Sequence, residues 1–345
     1  MNISKYKKIP SVVGFDAETG VYSINIDDNE FIVFNEQTYK EEYASYKISK
    51  KGNRIYTLSG DGIVNIWQNE KLSLKIQNAK ILENTELLCI YKFDNSWNSY
   101  YSIVNPYTNE LILKDYIPYN LYVNEEIIVA YNNFKGEIKR IKTDTTNIWQ
   151  FPLSSLGADP YEPNKNDEIS KILGVVYGNL WLTTKAERIV ALDVNTGEKK
   201  YQNEGFGVYL DEKSQNIFSI ASNIIEIINT RTLSIEERFN FLEADPKGIG
   251  KYEYVYSPLL QGDYFTFLGR MPNDSDVFRA GIFDYKARKL VWEHQFISEE
   301  EYEQTRNHLL LPQPLYMSGN KLYIKDFKNN LHIYEKEEPN CKTNL

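Results

Sequence analysis

Cysteine and histidine are scarce in this chain: 2 Cys and 3 His in 345 residues. Cys89 lies in the apolar run Leu87-Leu88-Cys89-Ile90-Tyr91 and reads as a buried thiol, whereas Cys341 lies in a polar C-terminal tail. Two such cysteines build neither a disulfide framework nor a zinc site, which needs four closely spaced ligands. Ser-His-Asp or Cys-His catalysis needs a histidine beside its nucleophile. Here His294 and His332 fall in strand-like runs, His308 falls in a long loop, and no nucleophile-elbow sequence is present. Long apolar runs are also missing, and no window nears the roughly 18 residues of a membrane-spanning helix. The basic start Met1-Asn2-Ile3-Ser4-Lys5-Tyr6-Lys7-Lys8 leads into no apolar secretory region, so a cytoplasmic location is expected. Positive charge is in deficit, with 39 Lys+Arg against 48 Asp+Glu and a net charge of −9. A nucleic-acid or anionic-membrane binder would be basic, so neither partner is expected.

Hydrophobic residues make up 42% of the chain and aromatics 14%, which supports a buried core and excludes a disordered chain. Helical periodicity is nearly absent. Short runs of β-branched and aromatic residues dominate, bounded by Asn, Gly and Asp. Eight of these runs end in a polar turn: Ile32-Val33-Phe34-Asn35, Asn65-Ile66-Trp67-Gln68, Ser102-Ile103-Val104-Asn105, Arg140-Ile141-Lys142-Thr143, Val190-Ala191-Leu192-Asp193, Glu226-Ile227-Ile228-Asn229, Gly281-Ile282-Phe283-Asp284 and His332-Ile333-Tyr334-Glu335. From Asn35 to Glu335 their mean spacing is about 43 residues, the length of a four-stranded propeller blade. One blade cannot bury both of its faces, but a series of blades packs each face on a neighbour. Inner strands are expected near 12–15, 43–48, 80–82, 120–123, 171–175, 208–210, 254–257 and 314–317. After Glu335 no strand-like run remains for the outer strand of the eighth unit, and residues 4–10 can supply it. The expected fold is therefore all-β: a single β-propeller over 1–338, with eight four-stranded blades and seven as the alternative. Its ring is closed by the N-terminal strand, and 339–345 form a tail.

Two segments carry a family resemblance. Residues 54–68, RIYTLSGDGIVNIWQ, resemble a WD-repeat blade: a strand, a Ser-Gly-Asp-Gly turn, then a strand ending in Ile-Trp. Residues 180–202, LWLTTKAERIVALDVNTGEKKYQ, resemble a quinoprotein-type (pyrroloquinoline quinone) blade, with Ala-Leu-Asp-x-x-Thr-Gly between its last two strands. The resemblance implies a propeller. The Gly-His and Trp-Asp pairs of WD repeats, with their His–Asp hydrogen-bond network, are missing, since Trp67 is followed by Gln68. Quinoproteins are secreted, hold a disulfide near the cofactor and bind calcium through acids. Nothing here matches that chemistry, so only the blade pattern carries over and no cofactor is expected.

Four stretches exceed a short turn: 151–170, 241–250, 270–280 and 296–308. In a propeller, loops from an outer strand to the next inner strand share one face with loops between second and third strands. These four, joined by 94–98, are therefore expected to crowd one face, where binding usually resides. They carry −7 of the net −9. The candidate partner-binding residues are Trp97, Asp159, Tyr161, Glu162, Asp167, Glu168, Asp274, Asp276, Phe278, Glu300, Glu301, Tyr302 and Glu303. Acids steer a basic protein and aromatics anchor it.

No catalytic or metal-ligating residue is expected, because the inner strands hold almost no carboxylate. Asp274-Ser275-Asp276 lacks a completing calcium ligand. Asp27-Asp28-Asn29-Glu30 reads as a hairpin turn, since two carboxylates on one turn cannot flank a sugar bond. Asp16, Asp61, Asp193 and Asp284 recur at turns, where Asp caps the backbone. The expected function is a monomeric, non-enzymatic binding propeller engaging a basic protein, such as an adaptor or a bacterial immunity protein against a nuclease toxin. The alternatives are a carbohydrate-active or other hydrolase using loop carboxylates such as Glu162 and Asp274, and a structural module of a larger assembly.

Overall fold

The computed structural model describes residues 3–27, 29–82, 85–93, 99–116, 120–124, 127–159, 162–211, 213–221, 223–274, 279–296, 298, 300, 315–326 and 328–336. The short β-branched and aromatic runs form strands that fall into eight four-stranded sheets. The fold is an eight-bladed β-propeller. The blades occupy 12–41, 45–76, 79–116, 120–152, 169–204, 209–240, 254–295 and 316–336. Helix among the described elements is limited to Phe241–Ala244 and the 3-10 turns Leu153–Leu156 and Ile249–Lys251.

All eight sequence markers fall on or just after the third strand of a blade, as in Val64–Gln68, Arg188–Asp193 and Arg279–Asp284. The recurring polar residue has a local task. Asn105 Oδ1 accepts the N–H of Tyr107 and Thr108, Asp193 Oδ1 those of Asn195 and Thr196, and Asn229 Oδ1 those of Arg231 and Thr232. Each carbonyl or carboxylate stands in for a missing ladder partner and closes the turn to the outer strand. These bonds hold the half-buried Asp193 carboxyl below its ordinary range. The glycine of the quinoprotein-like motif is structural too. Gly197 has φ +75°, and an added Cβ would lie 2.8 Å from the indole of Trp149.

The chain divides into two compact units. The first comprises 1–44, 211–228 and 235–345 and contains blades 1, 7 and 8. In it, the N-terminal strand Ile3–Ile9 pairs antiparallel with Leu331–Lys336, with Tyr6 opposite Tyr334 and Ile9 opposite Leu331. It thereby supplies the fourth strand of blade 8, as the sequence predicts. Beneath this strand Tyr6 Oη lies 2.9 Å from His332 Nδ1, and His332 Nε2 lies 2.8 Å from Asp326 Oδ2. The neutral Nε2–H tautomer serves both bonds, accepting from the Tyr6 hydroxyl and donating to the carboxylate. His332 and Asp326 are buried. A His–Asp bond is thus present in the last blade, although the Gly-His and Trp-Asp pairs are absent from the sequence. Burial alone would raise the Asp326 carboxyl, but hydrogen bonds from His332 and Asn330 hold it below the usual carboxylate range. Blade 8 is tied to blade 1 by Lys325 Nζ donating to Val13 O at 2.8 Å and by the Val12 N–H donating to Asn329 O at 2.8 Å.

The second unit comprises 45–210 and 229–234 and contains blades 2 to 5. Its blades are joined by polar side chains that reach the backbone of the next blade. Trp149 Nε1 donates to Val194 O at 2.7 Å, and Lys51 Nζ donates to Leu82 O and Thr85 O. Arg54 pairs with Glu86 at 3.1 Å while its guanidinium lies 3.8 Å from the Tyr107 ring centre. Cys89 is buried, and burial pushes its thiol up to about 11.

Deleting residues 1–10 should lower the melting temperature by roughly 10 °C or more, because it exposes the ladder edge of Leu331–Lys336 and orphans the His332 ring; an unchanged melting temperature would refute the closure. The lowered Asp326 carboxyl contributes stability that is present above about pH 4 and lost as pH falls through its folded value. Acid titration of unfolding should therefore show the stability gap between wild type and Asp326→Asn shrinking below about pH 4.

Candidate functional site

The loop from blade 4 to blade 5, residues 153–168, is anchored from below. Leu153 and Leu156 of its 3-10 turn are buried in the core that Trp149, Phe151 and Leu182 share. Above them the chain folds back through a bridge between Ala158 and Asn166. Asp167 is fully buried and braces this excursion. Its Oδ1 accepts the N–H of Glu168 at 2.8 Å and of Ala186 at 3.0 Å, and its Oδ2 accepts Arg188 Nη1 at 2.7 Å. Arg188 Nη2 also donates to Ala158 O at 3.0 Å. Asp167 therefore presents nothing to a partner and instead sets the shape of the loop.

The remaining acids of this loop lie outside. Glu162 is exposed and pairs with Lys165 at 2.5 Å; Glu168 pairs with Lys185 at 2.6 Å. Asp159 Oδ1 accepts the N–H of Glu162 at 3.3 Å. Counting along the loop alone gives a charge of −3, but folding brings in Lys185 and Arg188 from the hairpin of blade 5. Four carboxylates then meet three cations, and the local surface is close to balanced.

A feature unmarked in the sequence analysis stands beside this loop. Phe134, on the turn between the second and third strands of blade 4, is fully solvent-exposed at 106%. The turn is rigid. Asn133 exchanges two hydrogen bonds with the backbone of Ile169, both at 3.0 Å, and the Leu153 N–H donates to Gly136 O at 2.8 Å. The backbone on both sides of Phe134 is thus fixed, and its ring stands in solvent. The signal was readable: Phe134 is the one apolar residue of Asn132-Asn133-Phe134-Lys135-Gly136.

In the first unit, Asp274 is mostly buried; its Oδ2 accepts the N–H of Met271 at 3.0 Å and Arg279 Nε at 3.1 Å. It too holds its own loop together. The 241–250 stretch is pinned by buried Phe241 and Ile249, and by Asp245 Oδ2 accepting the Leu290 N–H at 2.7 Å. Glu300 is exposed. Trp97, Tyr161, Asp276, Phe278, Glu301, Tyr302 and Glu303 lie outside the described residues. Among the described residues no group of three or more His, Cys, Asp or Glu could hold a metal ion. Glu162 belongs to one unit and Asp274 to the other, each in its own ion pair.

No protein-family model matches the chain, and no curated protein matches its sequence. Solved structures match its fold. The C-terminal WD40 domain of Sif2 superposes with a TM-score of 0.61 at 10% identity, covering 98% of this chain and 100% of that one. Sqt1 of Saccharomyces cerevisiae gives 0.58 at 9% identity, covering 98% and 99%. The computationally designed protein Ika8 gives 0.57 at 11% identity, covering 94% and 96%. The likeness is one of architecture. It agrees with the WD-repeat resemblance of residues 54–68, where Trp67 is buried and its Nε1 donates to Thr57 Oγ1 at 3.4 Å.

Replacing Arg188 by Ala leaves the Asp167 carboxylate buried without its cation. The variant should lose about 3–5 kcal/mol of unfolding free energy, measured by denaturant titration; a loss below about 1 kcal/mol would show that the pair does not brace the loop.

Proposed function

We propose that this chain is a non-enzymatic, protein-binding propeller, an adaptor or immunity-type protein, that docks a basic protein on the 153–168 loop and the neighbouring Phe134 turn. The observation that carries this reading is the fully exposed Phe134 on its braced turn, next to exposed Glu162 and half-buried Glu168. An exposed aromatic on a braced backbone is a usual interface anchor, since only two side-chain torsions are fixed when it is covered. The acids suit a basic partner for a second reason. The pairs Glu162–Lys165 and Glu168–Lys185 are exposed, and such pairs are worth about 0–1 kcal/mol. A partner's Arg or Lys can take over these carboxylates at little cost and release the protein's own lysines to solvent. Asp159 extends the same surface, while Asp167 acts from beneath by holding the loop. In the first unit, Glu300 is the described acid of the corresponding reading, with Asp274 a brace. A cytoplasmic monomer fits this role, and WD40-type neighbours in fold space are consistent with an interaction scaffold.

The test is to titrate the protein with basic nucleases encoded in the same genome at low and high salt. A complex that weakens with salt is expected. Phe134→Ser should weaken it roughly 10-fold or more. The double variant Glu162→Lys/Glu168→Lys should instead lower chiefly the association rate and its salt dependence. No complex with any candidate at low salt would sink the proposal.

A further inference from the structure

The inner strands of blades 2 to 5 border a cavity of about 570 Å³, wholly within the second unit. That is within the roughly 300–1,000 Å³ of small-molecule sites. Its charged lining has a single sign. Lys47, Lys80 and Lys171 come from three different blades, on the inner strands Ser45–Lys51, Ala79–Ile81 and Ile169–Val176. No carboxylate is found among the described lining residues. In a chain of net charge −9 this is an inversion of the surrounding field. Lys80 lies 5.6 Å from the ring centre of Tyr91 and 5.5 Å from that of Tyr101, both on its own blade. Tyr101, Tyr122, Tyr131, Asn120 and Ser170 add neutral hydrogen-bonding groups, while Ile81, Leu82, Val123 and Ile172 form apolar walls. The inner strands read in sequence as holding almost no carboxylate. That they place lysines together became visible only in three dimensions.

Lys80 and Lys171 are exposed to solvent, and positive groups gathered on one concavity raise the local concentration of anions. The absence of arginine from the described lining residues also matters. An ammonium is a compact point charge that binds phosphoryl oxygens without the planar fork of a guanidinium, and lysines from three blades suit a ligand with several spaced charges. We infer that this cavity binds a small polyanion bearing two or more phosphoryl groups, the lysines neutralising them and the phenol hydroxyls and amide NH2 donating to their oxygens. Nothing in this site overlaps the Phe134 surface, so the two readings stand or fall separately.

The experiment is calorimetric titration with inorganic tripolyphosphate, with citrate as the carboxylate counterpart. One-to-one binding of tripolyphosphate is expected. Each charge-assisted contact supports roughly a 10-fold effect, so Lys80→Gln/Lys171→Gln should weaken binding about 100-fold. Lys80→Arg/Lys171→Arg, which keeps both charges, should retain most of the affinity. Lys213→Gln/Lys286→Gln, in the first unit, should leave it unchanged, as should Phe134→Ser. Absence of saturable binding at millimolar tripolyphosphate would overturn the inference. So would an equal loss in the Lys213/Lys286 control, and citrate binding tighter than tripolyphosphate would overturn the phosphoryl assignment.

Discussion

The pairing of Ile3–Ile9 with Leu331–Lys336 is the constraint on which the last blade depends. Without it, blade 8 would end in an open ladder of unpaired N–H and C=O groups, with a buried histidine uncovered beneath it. The Tyr6–His332–Asp326 chain makes this pairing specific as well as favourable, since sliding the strand by one residue would turn Tyr6 to the other face. Long-range closure of this kind is entropically costly to form. It is retained because one strand satisfies a whole edge.

Within each unit, the same economy recurs between neighbouring blades. Apolar faces meet, and a polar side chain then crosses to a backbone carbonyl of the next blade. Trp149 to Val194, Lys51 to Leu82 and Lys325 to Val13 are three instances. The apolar contacts set the approach, and the hydrogen bonds set the register. Several of the described turns are likewise self-sufficient, closed by their own Asn or Asp, as at Asn105, Asp193, Asn229 and Asp284. This leaves the longer loops free to carry function.

Those loops are less acidic in space than along the chain. Asp167 and Asp274 are consumed as internal struts, and Lys185 and Arg188 arrive from a different strand to balance the carboxylates. What remains outward on the described surface is an exposed aromatic, Phe134, flanked by loosely paired acids. Elsewhere in the second unit, positive charge collects in the cavity bordered by its inner strands. A net charge of −9 therefore conceals one loop surface close to charge balance and one cavity whose described charged residues are all lysines.

The repeat, the strand class, the blade count and the N-terminal closure were all legible in the sequence. Each follows from local alternation and turn chemistry, which act over a few residues, and from the missing eighth outer strand, which is a matter of counting. The burial of Cys89 was legible for the same reason, from the apolar run around it. Which acids are free and which are struts was not, because that depends on residues such as Arg188, 21 positions from Asp167, meeting across a blade. Phe134 is marked in the sequence only as a lone apolar residue in a polar turn; that it stands fully exposed is a property of the folded turn. The lysines of the cavity were missed because Lys47, Lys80 and Lys171 are far apart in the chain and converge only when successive inner strands line up. Local periodicity determined the fold from the sequence alone; the sign and position of the surface charge were decided by long-range contacts that only the tertiary structure creates.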